Sequence, residues 1–359
     1  MEYSSLLEDL IDTSLFEINQ DLVSSHIYNK IVLITGAAGS IGRELAIQIA
    51  SYDYDKLILL DQSESGLYDL QQDLLLLDVK NFEVIIADIN DKTRTSQIFA
   101  NYKPDIIYHA AAYKHVPLME NMPHEALKVN VEGTITLMDL AIQNNVSKFV
   151  LISTDKAVEP TSVMGATKRL AEIYVNGLEC NTKIIITRFG NVLESSGSIL
   201  PLFDKQLRNG GPITITDKNV SRFFMTKIQA AQFVLESTAG RDDRATFIFD
   251  MGKSVKVMDI ALKLIENFNK ENSKEIEIKY IGLRPGEKLG EVFYHEDDII
   301  FKTNNPKIYK VIPPKMSGYS LNKEIRIFCE NASGMTSLQV VHQLKKLVPS
   351  YNNVNTEYI

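Results

Sequence analysis

The sequence predicts an α/β fold in which a doubly wound parallel sheet carries a smaller C-terminal lobe, and two observations predict it. Between residues 30 and 189, apolar β-branched runs alternate with stretches long enough for helices. The runs are KIVLI, KLILLD, FEVIIA, IIYHAA, KFVLIS and KIIITRF. Six such strands joined by helices imply two βαβαβ halves, with a ligand at the carboxyl ends of the strands near the switch point. This is a Rossmann arrangement, and it assigns residues 29–190 to one domain. After Phe189 the elements shorten and turn signals cluster in GNVLESSGS, RNGGP, TDKNVS, LRPGEK and VIPPK. A second lobe is therefore expected over 191–350, with some exchange of strands and helices between the two. Residues 1–28 read as an N-terminal arm or linker, and 351–359, with NNVNTEYI, as a frayed tail.

Composition supports a folded chain with a large core. Of 359 residues, 45% are hydrophobic and 23% charged, ordinary globular values. A net charge of −8 argues against a general nucleic-acid binder, which needs a basic surface. Cys180 and Cys329 have neither metal-ligand spacing nor a disulfide framework, so no metal site is expected and a reducing compartment is. The N-terminal MEYSSLLEDLIDTSLF is acidic and lacks the pattern of a signal peptide or membrane helix.

The turn after the first strand, TGAAGSIGRE, spaces Gly36, Gly39 and Gly42 so that backbone can approach a pyrophosphate at a helix N-terminus. Ala38, Ser40 and Ile41 complete that loop. Asp61, nineteen residues after Gly42 at the end of the second strand, suits the adenosine ribose hydroxyls and repels a 2′-phosphate. NAD is therefore favoured over NADP, although a basic residue such as Arg43 would soften the exclusion. Asp88, with Ile89, follows the third strand where the adenine amino group should lie, and Ala110, Ala111 and Ala112 let backbone approach the cofactor. Ser63, Asn130, Ser153 and Lys168 are further expected cofactor contacts.

The segment STDKAVEPTSVMGATKR places Lys168 four residues after Met164. Short-chain dehydrogenases of the extended type, which this segment resembles, carry tyrosine at the Met164 position. A thioether exchanges no proton, so acid/base work must lie elsewhere or be absent. Thr154, Asp155 and Lys156 decide for the first reading, because they set a hydroxyl, a carboxylate and an amine at a strand end facing the expected nicotinamide.

GAAGSIGRE, AAAYKHVPLMEN, NVEGT, STDKAVEPTSVMGATKR, TRFGNVLESSGSILPLF and LRPGEKLGE together resemble the bacterial polysaccharide-biosynthesis UDP-N-acetylglucosamine 4,6-dehydratases from about residue 30 to 295, and the C5-retaining branch in particular. The chain departs from that pattern at Glu194, where the family usually has glycine, and at Glu159, where a small or neutral residue is usual. The resemblance implies a hydro-lyase with tightly bound NAD. Hydride would leave sugar C4, water would depart across C5 and C6, and the hydride would return to C6. Thr154 would relay the C4 hydroxyl proton and Lys168 would position the nicotinamide ribose. Lys156 would take the C5 proton and Asp155 protonate the C6 hydroxyl, although adjacent charges favour the opposite assignment. Lys114, His115, Asn191, Arg222, Arg284 and Glu287 would hold the sugar, diphosphate and uridine. A homo-oligomer, a dimer or higher, is expected, and many members carry an N-terminal membrane region of which residues 5–28 resemble only the linker. No membrane insertion is expected of this chain, in the bacterial cytoplasm or at the inner membrane face. The rival readings are the C5-inverting dehydratase, a nucleotide-sugar epimerase, which normally needs the tyrosine, and a non-catalytic NAD-binding regulatory protein.

Overall fold

Nine strands form one sheet because their side chains are apolar on both faces. In chain order they are β1 (Ile31–Thr35), β2 (Lys56–Asp61), β3 (Phe82–Ile86), β4 (Ile106–His109), β5 (Lys148–Thr154), β6 (Lys183–Phe189), β7 (Arg244–Phe249), β8 (Ile299–Lys302) and β9 (Ile308–Ile312). The computed structural model describes residues 6–7, 9–12, 16–271, 275–312 and 318–353. Parts of the predicted arm (1–5, 8 and 13–15), the VIPPK turn from Pro313 on, and the tail from residue 354 lie outside the described residues.

The spatial order is β8-β9-β7-β6-β5-β4-β1-β2-β3. The seven strands from β7 to β3 run parallel, β9 is antiparallel to β7, and β8 is in turn antiparallel to β9. This is the doubly wound order, with its switch point between β1 and β4. All six strands read from the sequence are present. Successive residues alternate between two cores, as the pleat requires. Leu33, Ile107, Phe149, Leu151 and Ile184 pack beneath helices Gly133–Gln143 and Val163–Asn176. Val32, Ile34, Tyr108, Val150 and Ile185 face helices Ser40–Ile49, Glu64–Leu76 and Lys227–Ala239. A third core, around Phe203, Leu207, Ile213, Val220, Phe224 and Ile260, belongs to the smaller lobe.

The chain crosses between these bodies at both ends. Leu7 and Ile11 join the lobe's core, whereas helix Gln20–Ile27, capped by the Asn19 side chain on the Leu22 N–H, packs Val23 and Ile27 under the main sheet. From Arg244 onward β7, β8 and β9 extend that sheet. Helices Gly318–Asn331 and Ser337–Leu347 then set Ile325, Phe328, Val340 and Leu344 into its first core. Tyr351 is buried there too, and the Asn352 N–H donates to the Pro160 carbonyl. Amphipathic periodicity shows that a helix has an apolar face; which core the face covers is decided by long-range packing.

Beneath the ends of β5 and β6 lies a buried ionic cluster. The Glu172 carboxylate accepts from Ser153 Oγ (2.6 Å), Arg188 Nε (2.9 Å), Arg188 Nη2 (2.6 Å) and Arg169 Nη1 (2.9 Å). Burial alone would push its pKa up, but the Arg188 charge and hydrogen bonds, with Arg169 and Ser153, reverse this and hold it down at about 2. His109, buried between Thr35 and Thr134, is pushed down to about 3 by burial and then by Lys168.

Two predictions follow from these groups. Glu172→Gln leaves buried Arg188 with only Asp298, 4.0 Å away, as counter-charge and should cost about 3 kcal/mol or more in urea unfolding. Lowering the pH should weaken the fold in sequence. His109 folds neutral, so its contribution is complete above pH 6.5 and is lost below it, while that of Glu172 is lost from about pH 4.5 towards 2. Urea midpoints that stay flat from pH 7 to 4 would contradict this.

Candidate active site

The first part of the site is built where β1, β2, β3 and β4 end. Gly36 has φ +70°, and a Cβ there would lie 2.5 Å from the Ala111 nitrogen. A Cβ at Gly42 would meet the Gly36 carbonyl oxygen at 2.2 Å. The loop therefore lies flat against the β4 end at Gly36, and the helix start lies flat against the loop at Gly42, only because these side chains are absent. Helix Ser40–Ile49 starts without a side-chain cap, so its first-turn N–H groups face the cleft available to an anion. Gly36, Gly39, Asp61, Asp88, Ile89 and Ala110 to Ala112 line this cleft together, with Gln62 and Tyr113.

The remaining residues read as cofactor contacts stand around it in other roles. Asp61 accepts the N–H groups of Ala38 (3.0 Å) and Ser63 (2.9 Å), fastening the glycine loop to the end of β2, and Ser63 caps helix Glu64–Leu76. Ser40 Oγ accepts the Ser196 N–H, and Ile41 packs against the second core. Asn130 sits in a π-helical turn, accepts the Tyr113 N–H and donates to the Tyr113 carbonyl and Thr167 Oγ1. Arg43 is ion-paired with Asp73. The cleft thus fits a dinucleotide: close backbone, an open helix terminus and a carboxylate at the ribose position.

The second part stands at the end of β5. Thr154 Oγ1 donates to Asp155 Oδ1 at 2.8 Å, and Lys156 Nζ donates to the same oxygen at 3.0 Å. Lys156 also donates to Asn191 Oδ1 at 3.0 Å and stands 3.9 Å from Glu291 Oε1. Asp155 is fully buried, and its Oδ2 has no hydrogen-bond partner. Met164, 2% exposed, packs in the first core. Lys168 donates to the Ile152 carbonyl at 2.6 Å, and burial pushes it down to about 8 against the pull of Glu172.

Lys114, His115, Asn191, Arg222, Arg284 and Glu287 line one cavity of about 260 Å³, and Lys156 opens into it. Six residues spread over 173 positions of chain are thus gathered where the lobe closes on the sheet. Glu287 knits the basic groups: Oε1 accepts from Thr216 Oγ1 (3.0 Å) and Arg222 Nη2 (3.4 Å), and Oε2 from Arg284 Nε (3.3 Å). Burial, then Lys156, push the Lys114 pKa down. His115 lies against Gly197, where a Cβ would come within 2.2 Å of the imidazole.

Two lining residues, Lys288 and Glu291, escaped the sequence reading. Both stand in LRPGEKLGE, but charged residues in a turn-rich run read as solvated, and only folding buries them. The family departures also acquire a physical meaning. Glu194 and Glu159 adopt φ +56° and +44°, the left-handed region glycine enters without strain. Among the described residues no cluster of His, Cys, Asp and Glu is arranged to hold a metal ion, and no helix is long and apolar enough to cross a membrane.

This architecture has clear relatives. The capsular polysaccharide biosynthesis protein CapD of Staphylococcus aureus is 43% identical over 309 residues, which cover 85% of this chain and 51% of that protein. The chain thus spans about half the length of that relative. The UDP-N-acetylglucosamine 4,6-dehydratase (inverting) of Campylobacter jejuni strain NCTC 11168 is 31% identical over 291 residues, 79% of this chain and 83% of that one. The crystal structure of Pen from Bacillus thuringiensis superposes with a TM-score of 0.75 at 32% identity, covering 82% of this chain and 91% of that chain. The fold is that of the extended short-chain dehydrogenases. The model of the polysaccharide biosynthesis protein family matches residues 32–313, and the chain belongs to that family.

Proposed function

We propose that the chain catalyses 4,6-dehydration of UDP-N-acetylglucosamine to a UDP-4-keto-6-deoxy-N-acetylhexosamine, with NAD as resident cofactor and the C5 configuration retained. The observation that carries this reading is the Thr154, Asp155 and Lys156 cluster, hydrogen-bonded as a unit and opening through Lys156 into a cavity lined by arginines. A simple alcohol oxidation needs one base. Dehydration needs further proton transfers at C5 and C6, and a cluster of hydroxyl, carboxylate and amine has the groups for them.

Gly36, Gly39, Gly42, Asp61 and Asp88 would hold the dinucleotide, which when bound would supply reversible hydride storage between C4 and C6. The ion pair of Arg43 with Asp73 supports NAD over NADP, because it engages the guanidinium that a 2′-phosphate would need as a counter-charge. Arg222 and Arg284, already aligned by Glu287, suit a diphosphate through bidentate contacts. With Met164 inert, Thr154 takes the C4 hydroxyl proton by passing its own to Asp155. Oxidation at C4 acidifies the C5 proton, which Lys156 is placed to remove. Lys168 contributes positive charge beneath the nicotinamide end of the cleft.

The pure protein given UDP-N-acetylglucosamine should yield a product lighter by one water, with no net NADH. Unchanged substrate would overturn the reading, and NMR of the product in heavy water reads the C5 configuration, an inverted centre replacing retention. Asp155→Asn and Lys156→Ala should each lower dehydration by at least about 100-fold while leaving calorimetric NAD affinity near that of the parent protein. Gly42→Ala, by driving a methyl into the Gly36 carbonyl and distorting the loop, should weaken NAD binding by about 10-fold or more.

A further inference from the structure

Arg284 and Glu287 stand on a turn that belongs to the smaller lobe. Glu287 accepts from Thr216 and Arg222, and the Ser221 N–H donates to the Leu289 carbonyl just beyond the turn. Thr154, Asp155 and Lys156 stand instead at the end of β5 and lead into the loop 158–162, which starts helix Val163–Asn176. If the turn holds the diphosphate while the strand end works on the sugar, as proposed above, the two segments must keep a fixed distance across the cavity.

Two hydrogen bonds join them, one given from each side. Thr161 Oγ1 donates to the Gly286 carbonyl at 3.0 Å, and Lys288 Nζ donates to the Val158 carbonyl at 3.0 Å. Gly286 is buried at φ +77°, and a Cβ there would lie 2.7 Å from Ser162 Cβ and 2.9 Å from Glu120 Oε1. The turn therefore closes on the loop only because that side chain is absent. The loop is itself anchored from behind. Ser162 Oγ accepts the Gly165 N–H at 3.1 Å, Glu120 Oε1 the Val163 N–H at 2.6 Å, and the Pro160 carbonyl the Asn352 N–H at 2.9 Å. A turn of the lobe is thus fastened to a loop that the sheet and its helices hold still.

We propose that Thr161 is a positioning residue for nucleotide binding: with Lys288 it latches the turn that carries Arg284 and Glu287 to the start of helix Val163–Asn176, and so sets where the diphosphate lies relative to Lys156. Thr161 lines the cavity, but its hydroxyl proton is committed to the Gly286 carbonyl, so its part is geometric. Removing that hydroxyl leaves a buried carbonyl without the donor that holds it, and the turn relaxes toward water to recover one. Arg284 and Glu287 move with the turn, because Gly286 lies between them in the chain.

The test titrates UDP, which has the diphosphate but no sugar, into the full chain with NAD by calorimetry. Thr161→Val keeps the side-chain shape without the hydroxyl and should weaken UDP binding by about 10-fold, and Thr161→Ser should restore it. NAD affinity of Thr161→Val should stay near that of the parent protein, which a general loss of structure would not allow. In a double-mutant cycle the losses from Thr161→Val and Arg284→Ala should fall short of additive by about 3-fold or more, because the first acts through the second. Gly286→Ala, which pushes the turn off Ser162 and removes no polar group, should weaken UDP binding at least as much as Thr161→Val. Parent-like UDP affinity in Thr161→Val, or additive losses that mark a direct contact with the nucleotide, overturns the proposal. Should Thr161→Val not fold, Thr161→Ala removes the same hydroxyl and is held to the same outcomes. A parent protein that binds no UDP removes the sugar-nucleotide reading on which this rests, and the latch with it, whereas a parent that binds UDP no better than Thr161→Val removes the latch alone.

Discussion

A carboxylate and a guanidinium, both withdrawn from water, hold the reactive end of this molecule in place. Glu172 comes from helix Val163–Asn176 and Arg188 from β6, and Ser153 ties β5 to the same carboxylate. Such a pair recovers its desolvation only when every lone pair finds a donor, and here four hydrogen bonds from three residues besides the helix's own backbone do so. Thr154, Asp155 and Lys156 follow Ser153 directly, so the geometry of the acid/base groups is inherited from a cluster that never touches the cavity. Arg188 extends the tie to the Phe293 carbonyl and stands 4.0 Å from Asp298, which brings in the segment just beyond Glu291.

The second constraint is steric. The cofactor cleft exists because Gly36 leaves no Cβ between the loop and the end of β4 and Gly42 none between the loop and the helix that follows, and Asp61 then pins that loop by two backbone N–H groups. The same carboxylate thereby shapes the cleft and also lines it. Where the lobe meets the sheet, positive charge dominates the wall through Lys114, Lys156, Arg222, Arg284 and Lys288, although the chain carries a net charge of −8. A strongly acidic protein can thus offer a local site for an anion, because burial and short-range geometry outweigh a screened overall charge.

Much of this was legible in the residues. The β-branched runs marked the six parallel strands, since strands buried on both faces need little else, and the spacing of Gly36, Gly39, Gly42 and Asp61 marked the dinucleotide cleft. The same pattern did not reveal that β7, β8 and β9 rejoin the main sheet. Ile299, Ile300 and Phe301 lie on an exposed edge, and the pairing of β7 with β6 and with β9, each about 60 residues away along the chain, leaves no local periodicity.

Met164 shows the boundary most clearly. Its identity alone excluded a tyrosine-type base, because a thioether has no proton to give, and the nearby STDK holds the groups proposed in its place. What the sequence by itself determined was therefore chemistry and local form: which side chains can bind, donate or accept, and which runs make strands. Only the tertiary structure decided that Asp155 is sealed behind Lys156, that Glu287 aligns two arginines, and that Glu291 is buried in the cavity wall between Lys156 and Lys288. Burial and proximity between distant segments are properties of packing, and no single stretch of chain encodes them.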